Sequence, residues 1–367
     1  MKIGILTFHR AINFGAVLQC YALYCTLRGM GHEVEVIDYR PESIERYRRH
    51  FRLQDFRQAA GLGGKLRYLA SALTLAKVKK QTCRQFDGFL SRALRFSPVA
   101  HRPEEVSTQY DAVFFGSDQI WNPLICEGLD AVYYGQFPKG HARFIAYAAS
   151  VGLLSALEGD LLVQFKKNLA VYDRLAVREQ NLQTFLRERV GVDARLVCDP
   201  SLLPLRADWE ALAEKPQEDK YVALFTLECN PEAPAFAWRM ARQLGAKVIR
   251  LGAVENPFRK SDCEVRSMLS PGQFLGYLMH AACVVTDSFH ATSFSLILHT
   301  DFYTLRRTSN NGRAETILVV AGLGERLVDA TADIPFAPIC YDGVDERLAA
   351  YRRQSLQYIE ESLSAAN

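Results

Sequence analysis

Polar side chains suited to chemistry cluster just after short apolar runs, where ligands bind in open parallel sheets. The first such cluster is Thr7-Phe8-His9-Arg10-Ala11-Ile12-Asn13-Phe14-Gly15-Ala16. Asn13 is a candidate helix N-cap and Gly15 allows close approach to the backbone. The free amides of that helix start would favour an anion, unless the helix is simply capped. The next is Gly116-Ser117-Asp118-Gln119-Ile120-Trp121-Asn122-Pro123. Ser117, Asp118, Gln119 and Asn122 supply hydrogen bonds and Trp121 an aromatic face, the mixture expected of a sugar or polyol pocket. Arg178 follows Leu175-Ala176-Val177, where its fork could hold a carboxylate or phosphate bidentately, or pair with Glu179.

The densest group is Thr286-Asp287-Ser288-Phe289-His290-Ala291-Thr292-Ser293. His290 falls in the first turn of an expected helix, among hydroxyls. A histidine there can move protons at neutral pH, although lone histidines near helix starts are more often structural. Arg306, Arg307 and Arg313 surround Ser309-Asn310-Asn311-Gly312 and would clamp an anion or be merely solvated. No phosphate loop, dinucleotide fingerprint, metal-binding His-Glu-x-x-His or Gly-x-Ser-x-Gly elbow occurs, so no metal or cofactor is expected.

Positioning these groups requires strands that stop beside one another. Apolar runs at 2–8, 33–38, 112–116, 144–148, 174–177 and 194–198 read as one set of parallel strands, and 221–227, 247–251, 283–286 and 302–305 as a second. Stretches of helical period separate them, giving an α/β fold. The Pro-rich, polar stretch 200–216 divides the chain into domains 1–205 and 206–367. Residues 344–363 have helical period without Pro or Gly and should form a packed terminal helix. Residues 41–96 read as a helical insertion after the second strand, broken at Gly61-Leu62-Gly63-Gly64.

The chain has 367 residues and a formal net charge of only +3, which argues against nucleic acid as a partner. That average hides a block. Between Tyr39 and Phe96 stand 14 basic and four acidic residues, so this segment carries +10 and the remainder −7. Nine cysteines without a Cys-x-x-Cys pair suggest reduced, buried thiols in a cytoplasmic protein. No apolar run approaches the ~20 residues that span a bilayer, and no signal peptide precedes the first strand.

Taken in order, Asn13-Phe14-Gly15-Ala16-Val17-Leu18-Gln19, Gly116 to Pro123, Val177-Arg178-Glu179, Asp199-Pro200-Ser201-Leu202 and Asp287-Ser288-Phe289-His290 resemble the polysaccharide pyruvyl transferase family. The resemblance covers about residues 1–330, and the Gly-Ser-Asp-Gln-x-Trp-Asn-Pro run is its most specific part. It implies two Rossmann-like lobes facing a cleft, similar to the glycosyltransferase-B arrangement. It also implies transfer of pyruvate from phosphoenolpyruvate, a co-substrate, onto two hydroxyls of a sugar in surface polysaccharide synthesis. His290 would then be the general acid/base and Arg178 would hold the donor. Several members carry Arg where this chain has Ser288, so Arg306, Arg307 or Arg313 would substitute at the donor site. Asn13, Gly15 and the Ser117-to-Asn122 residues would line the acceptor side. A nucleotide-sugar glycosyltransferase and a non-catalytic glycan-binding relative are the alternatives on the same fold. A lipid-linked acceptor would suit peripheral contact of 41–96 with an anionic membrane; otherwise that segment is a solvated face paired with the acidic remainder.

Overall fold

A computed structural model describes residues 1–49, 56–57, 61–107, 109–252, 263–308 and 311–364. The apolar runs become two parallel sheets of six strands. β1 (Lys2–Leu6), β2 (Glu33–Val36), β3 (Ala112–Phe115), β4 (Arg143–Ala149), β5 (Arg174–Val177) and β6 (Arg195–Leu196) pair in the order β2-β1-β3-β4-β5-β6. β7 (Tyr221–Phe225), β8 (Lys247–Leu251), β9 (Glu264–Arg266), β10 (Cys283–Thr286), β11 (Phe302–Leu305) and β12 (Leu327–Val328) pair as β12-β11-β10-β7-β8-β9. All four residues of β3 and of β10 are buried, as strands covered on both faces require. The expected strand 194–198 pairs only at Arg195 and Leu196, and the short edge strands β9 and β12 were not expected from the sequence.

Each sheet reverses its winding once, between β1 and β3 in the first lobe and between β7 and β10 in the second. Crevices for ligands open at such switch points, beyond the carboxyl ends of the strands. The two switch points face each other, so the architecture is the expected pair of Rossmann-like lobes across a cleft.

Aromatic side chains pin the lobes together. Phe14, at the start of the helix Phe14–Gly29, stacks on Phe274 of the second lobe with ring centroids 4.2 Å apart and planes 2° from parallel. It also meets Phe225 edge-on at 6.0 Å. Trp209 lies between Tyr21 and Phe294 and donates from Nε1 to the Ser201 carbonyl at 3.1 Å.

The terminal helix has the expected bounds, Val344–Leu363, and ties the second lobe back to the first. The Tyr351 hydroxyl donates to the Val197 carbonyl at 2.8 Å and Tyr358 to the Ala146 carbonyl at 3.1 Å. Ser355 Oγ accepts from the Cys198 amide at 2.8 Å. Burial is the first cause that pushes the Cys198 thiol up to about 12, so it stays protonated. In the insertion, Gly61–Ala93 is one helix of 33 residues, and Gly61 to Gly64 form its first turn rather than a break. At a helix end glycine costs least. Part of the insertion, 50–55 and 58–60, lies outside the described residues. Among the described residues, no helix is long and apolar enough to cross a membrane.

Removing the Phe14 ring should loosen the lobes. Phe14→Ala is expected to cost about 3–5 kcal/mol, the usual range for a buried Phe, read as a lower urea midpoint.

Candidate active site between the lobes

The strand ends dictate the site. In the first lobe, Gly116 lets the chain turn at the end of β3. Its φ is +127° and a Cβ there would stand 2.2 Å from the Tyr147 carbonyl oxygen. Asp118 adopts φ 72°, a left-handed conformation that Asp tolerates. Its Oδ1 accepts from the Gln119 amide at 2.9 Å and from Arg178 Nη2 at 3.2 Å. Thr7 Oγ1, after β1, donates to the Ser117 carbonyl at 2.8 Å and so joins the two loops. Asn13 caps the first helix, its Oδ1 accepting from Ala16 N at 3.2 Å.

In the second lobe, Ser288 caps the helix Phe289–Ile297, accepting from Ala291 N at 3.4 Å, which sets His290 in the first turn. Asp287 accepts from the amides of Leu227 and Glu228 at 2.6 and 2.8 Å, fixing the loop after β7. Burial raises the Asp287 carboxyl and these two amides work against the rise.

The lobes meet at His290. A Cβ on Gly15 would stand 2.1 Å from His290 Nδ1 and 2.2 Å from Cγ, so the imidazole rests on the bare backbone of the first loop. His290 Nε2 is buried without a hydrogen-bond partner among the described residues and lies 3.7 Å from Asp199 Oδ2.

Behind it runs a buried charge layer. Arg178, only 1% exposed, donates to Asp199 at 2.5 Å and to Ser117 Oγ at 3.0 Å. Ser117 in turn donates to Asp199 at 2.8 Å, and the Ser201 amide adds a bond to Asp199 at 3.0 Å. Burial alone would raise the Asp199 carboxyl, but His290 and Arg178 hold it well below the usual carboxylate range. Glu179 accepts from Ser150 Oγ at 2.5 Å and lies 3.7 Å from Arg313 Nε. With its amide oxygen turned toward Arg313, Gln119 accepts from both terminal nitrogens at 3.2 Å. Burial, then the nearby Arg178 charge, pushes Arg313 down to about 10. Both guanidiniums sit over the Phe289 ring, 5.1 Å (Arg178) and 6.0 Å (Arg313) from its centroid.

A cavity of about 580 Å³ opens onto this layer. Asn13, Asp118, Gln119, Ser288, His290, Arg307 and Arg313 line it, and Gly15 backs the histidine. The other candidates lie elsewhere. Trp121 is buried in the first lobe, where its Nε1 donates to the Tyr172 hydroxyl at 3.1 Å and its ring stacks on Tyr134. Asn122 holds its own turn, accepting from Leu124 N at 2.9 Å. Ser117 and Arg178 stand behind the wall, within the charge layer. Arg306 points outward, 46% exposed, toward Glu315 and Asp329. Ser309 and Asn310 lie outside the described residues.

Two residues absent from the candidate set are central: Asp199 and Glu179. Both follow strand ends, the signal that found Arg178. The insertion also contributes, since Ile44, Tyr47, Val78, Lys79 and Thr82 form one wall. Among the described residues, no group of three or more His, Cys, Asp or Glu side chains is placed to hold a metal ion.

Fold and cavity together define a two-lobed α/β protein in which His290 and the buried charged side chains meet at the lobe junction. The model of the polysaccharide pyruvyl transferase family matches residues 13–309, and the chain belongs to that transferase family. No curated protein matches it. Among solved structures it is similar to UDP-GlcNAc 2-epimerase from Neisseria meningitidis, with 10% identity, 99% of each chain covered and a TM-score of 0.47. The Methanocaldococcus jannaschii UDP-GlcNAc 2-epimerase gives 12% identity over 96% of this chain and 93% of that one, TM-score 0.43. Arabidopsis thaliana UGT89C1, complexed with quercetin, gives 11% identity over 99% and 92%, TM-score 0.45.

Asp199 carries a pH signature. Its folded-state pKa is depressed, so the stability it contributes is present above the unfolded value of roughly 4 and is lost as pH falls below it. Asp199→Asn should flatten the decline of stability in that acid window. At neutral pH it should cost about 3–5 kcal/mol, because Arg178 loses its closest partner in the interior. Denaturant titrations at several pH values measure both.

Proposed function

We propose that this chain transfers pyruvate from phosphoenolpyruvate to two hydroxyls of a sugar, forming a cyclic ketal and releasing phosphate. The step belongs to the assembly of a surface polysaccharide or exopolysaccharide, carried out in the cytoplasm or at the inner face of the membrane. The observation that carries this reading is the placement of His290. It comes from the second lobe, rests on Gly15 of the first and turns Nε2 toward Asp199. Family membership supplies the reaction class.

Asp199 stabilises the imidazolium through Nε2 and leaves Nδ1 for proton transfer at the cavity wall. The protonated ring delivers its proton to the methylene carbon of phosphoenolpyruvate, which becomes a methyl group and leaves positive charge on the adjacent carbon. One acceptor hydroxyl bonds to that carbon and returns its proton to His290. Phosphate then leaves, the second hydroxyl closes the ring, and its proton departs with the phosphate.

The donor carries about three negative charges near neutral pH, and its cations come from Arg313 and Arg307. Arg313 is buried beside a second guanidinium, a cost that a bound anion relieves. Arg307 reaches the cavity while paired with Glu228 at 2.8 Å. Arg313 fills the role of the family's missing Arg at Ser288. Arg178 is enclosed by Ser117, Asp118 and Asp199, so it orients Asp199 rather than gripping the donor. Asn13, Asp118 and Gln119 face the acceptor.

Incubation with phosphoenolpyruvate and a sugar bearing a suitable diol should release phosphate. His290→Ala should lower kcat about 10²–10⁴-fold, the usual worth of a positioned acid/base. Arg313→Gln should weaken phosphoenolpyruvate binding by at least about tenfold in calorimetry, equivalent to one charge-assisted contact. A thermal shift with nucleotide sugars but none with phosphoenolpyruvate would overturn the reading in favour of a glycosyltransferase.

A Cβ at Gly15 tests the seat of the histidine independently. Gly15→Ala should lower kcat as much as His290→Ala does, while Arg313-dependent donor binding persists.

A further inference from the structure

The long helix Gly61–Ala93 has a face that no other described part of the chain covers. Leu62, Leu66, Leu69 and Leu73 follow the alternating spacing of four and three that makes one stripe on a helix. They are 78, 59, 37 and 76% exposed, far from the usual burial of leucine. A second step of four leads from Leu73 to Lys77, and steps of three and four then reach Lys80 and Arg84 on the same side of the helix, all three exposed. None of these three has an ion pair or hydrogen bond among the described residues. The only acid of the helix, Asp87, is taken by Arg48 at 2.6 Å and Arg10 at 3.4 Å.

This divides the +10 segment in two. Its leading part is neutralised within the fold, where Arg40 pairs with Asp38, Arg46 with Glu127 and Arg49 with Glu42. Among the described residues, the cationic stripe of the helix is left without counter-charge. One continuous face therefore presents an apolar half about 17 Å long followed by a cationic half.

We propose that this face docks on an anionic phospholipid bilayer. The leucines enter the boundary between headgroups and acyl chains, and Lys77, Lys80 and Arg84 meet lipid phosphates. A second copy laid on the stripe would add its own unpaired cations with no acid to meet them, whereas the lipid supplies the missing charge. Val78, Lys79 and Thr82 face the cavity from the other side of the same helix. A helix is about 10–12 Å across, so docking holds the cavity wall at that distance from the lipid surface. Resting on the catalytic reading above, this would bring the sugar of a lipid-linked acceptor to His290.

Vesicle flotation of the full chain is the test. Wild-type protein should float with phosphatidylcholine vesicles containing phosphatidylglycerol and not with phosphatidylcholine alone, and added salt should release it. The double variants Leu66→Glu/Leu73→Glu and Lys77→Glu/Lys80→Glu should each bind at least about tenfold more weakly, with unchanged circular dichroism and unchanged phosphate release on a soluble acceptor. Absence of flotation, or equal flotation with neutral vesicles, overturns the proposal. So does a wild-type dimer in sedimentation that Leu66→Glu/Leu73→Glu dissociates without any lipid binding, since the stripe would then join two copies. Flotation as expected with no turnover of phosphoenolpyruvate by any protein would refute the catalytic reading and leave the docking intact.

Discussion

The pairing of Arg178 with Asp199 is the constraint on which the site depends. Two charges taken out of water cost several kcal/mol each, and their mutual attraction repays this only when the remaining donors and acceptors are satisfied. Here three strand ends at once supply most of that satisfaction, and Arg178 Nε, which has no hydrogen bond among the described residues, lies 3.9 Å from Glu179. Arg178 follows β5, Asp199 follows β6, and Ser117 and Asp118 follow β3. Each strand must stop at its own register for the four groups to meet. The parallel register between β3 and β4, and between β4 and β5, is therefore a condition of the electrostatics as much as of the sheet.

The same pair extends across the lobe junction. Phe289 and His290 bring the second lobe against it, one through its ring face and the other through Nε2. Charge is unevenly shared there. Asp118, Glu179 and Asp199 surround Arg178, while Arg313 has Glu179 and the neutral Gln119. Two arginines of the same type thus acquire different work. One is surrounded by three carboxylates and fixes geometry; the other keeps unspent attraction at the cavity wall.

Much of this was legible in the sequence because buried parallel strands read as unbroken apolar runs, and polar residues after them mark the ligand side. Asn13, Asp118, Gln119, Ser288 and His290 reach the cavity from such positions. Trp121 shares a motif with Asp118 and Gln119 but turns into the core, since residue type does not fix the direction of a side chain on an irregular loop. The difference between Arg178 and Arg313 was equally hidden. It rests on acids 21 and 60 positions away along the chain, and only folding brings those together. The edge strands β9 and β12, three and two residues long, are too short to carry a periodic signal.

The insertion shows how one helix can serve three surfaces. Phe86, Phe89 and Leu90 are buried in the core that includes Phe14, which couples the helix to the lobe junction. Val78, Lys79 and Thr82 enclose the cavity, and the Leu62-to-Arg84 stripe faces outward. A helix offers each surface about a third of its circumference, so no side chain has to serve two of them. The outward face is thereby free of the packing demands that fix the other two. Only there could four leucines remain exposed without disturbing the site, and a composition that is costly in water implies a surface other than water to receive it.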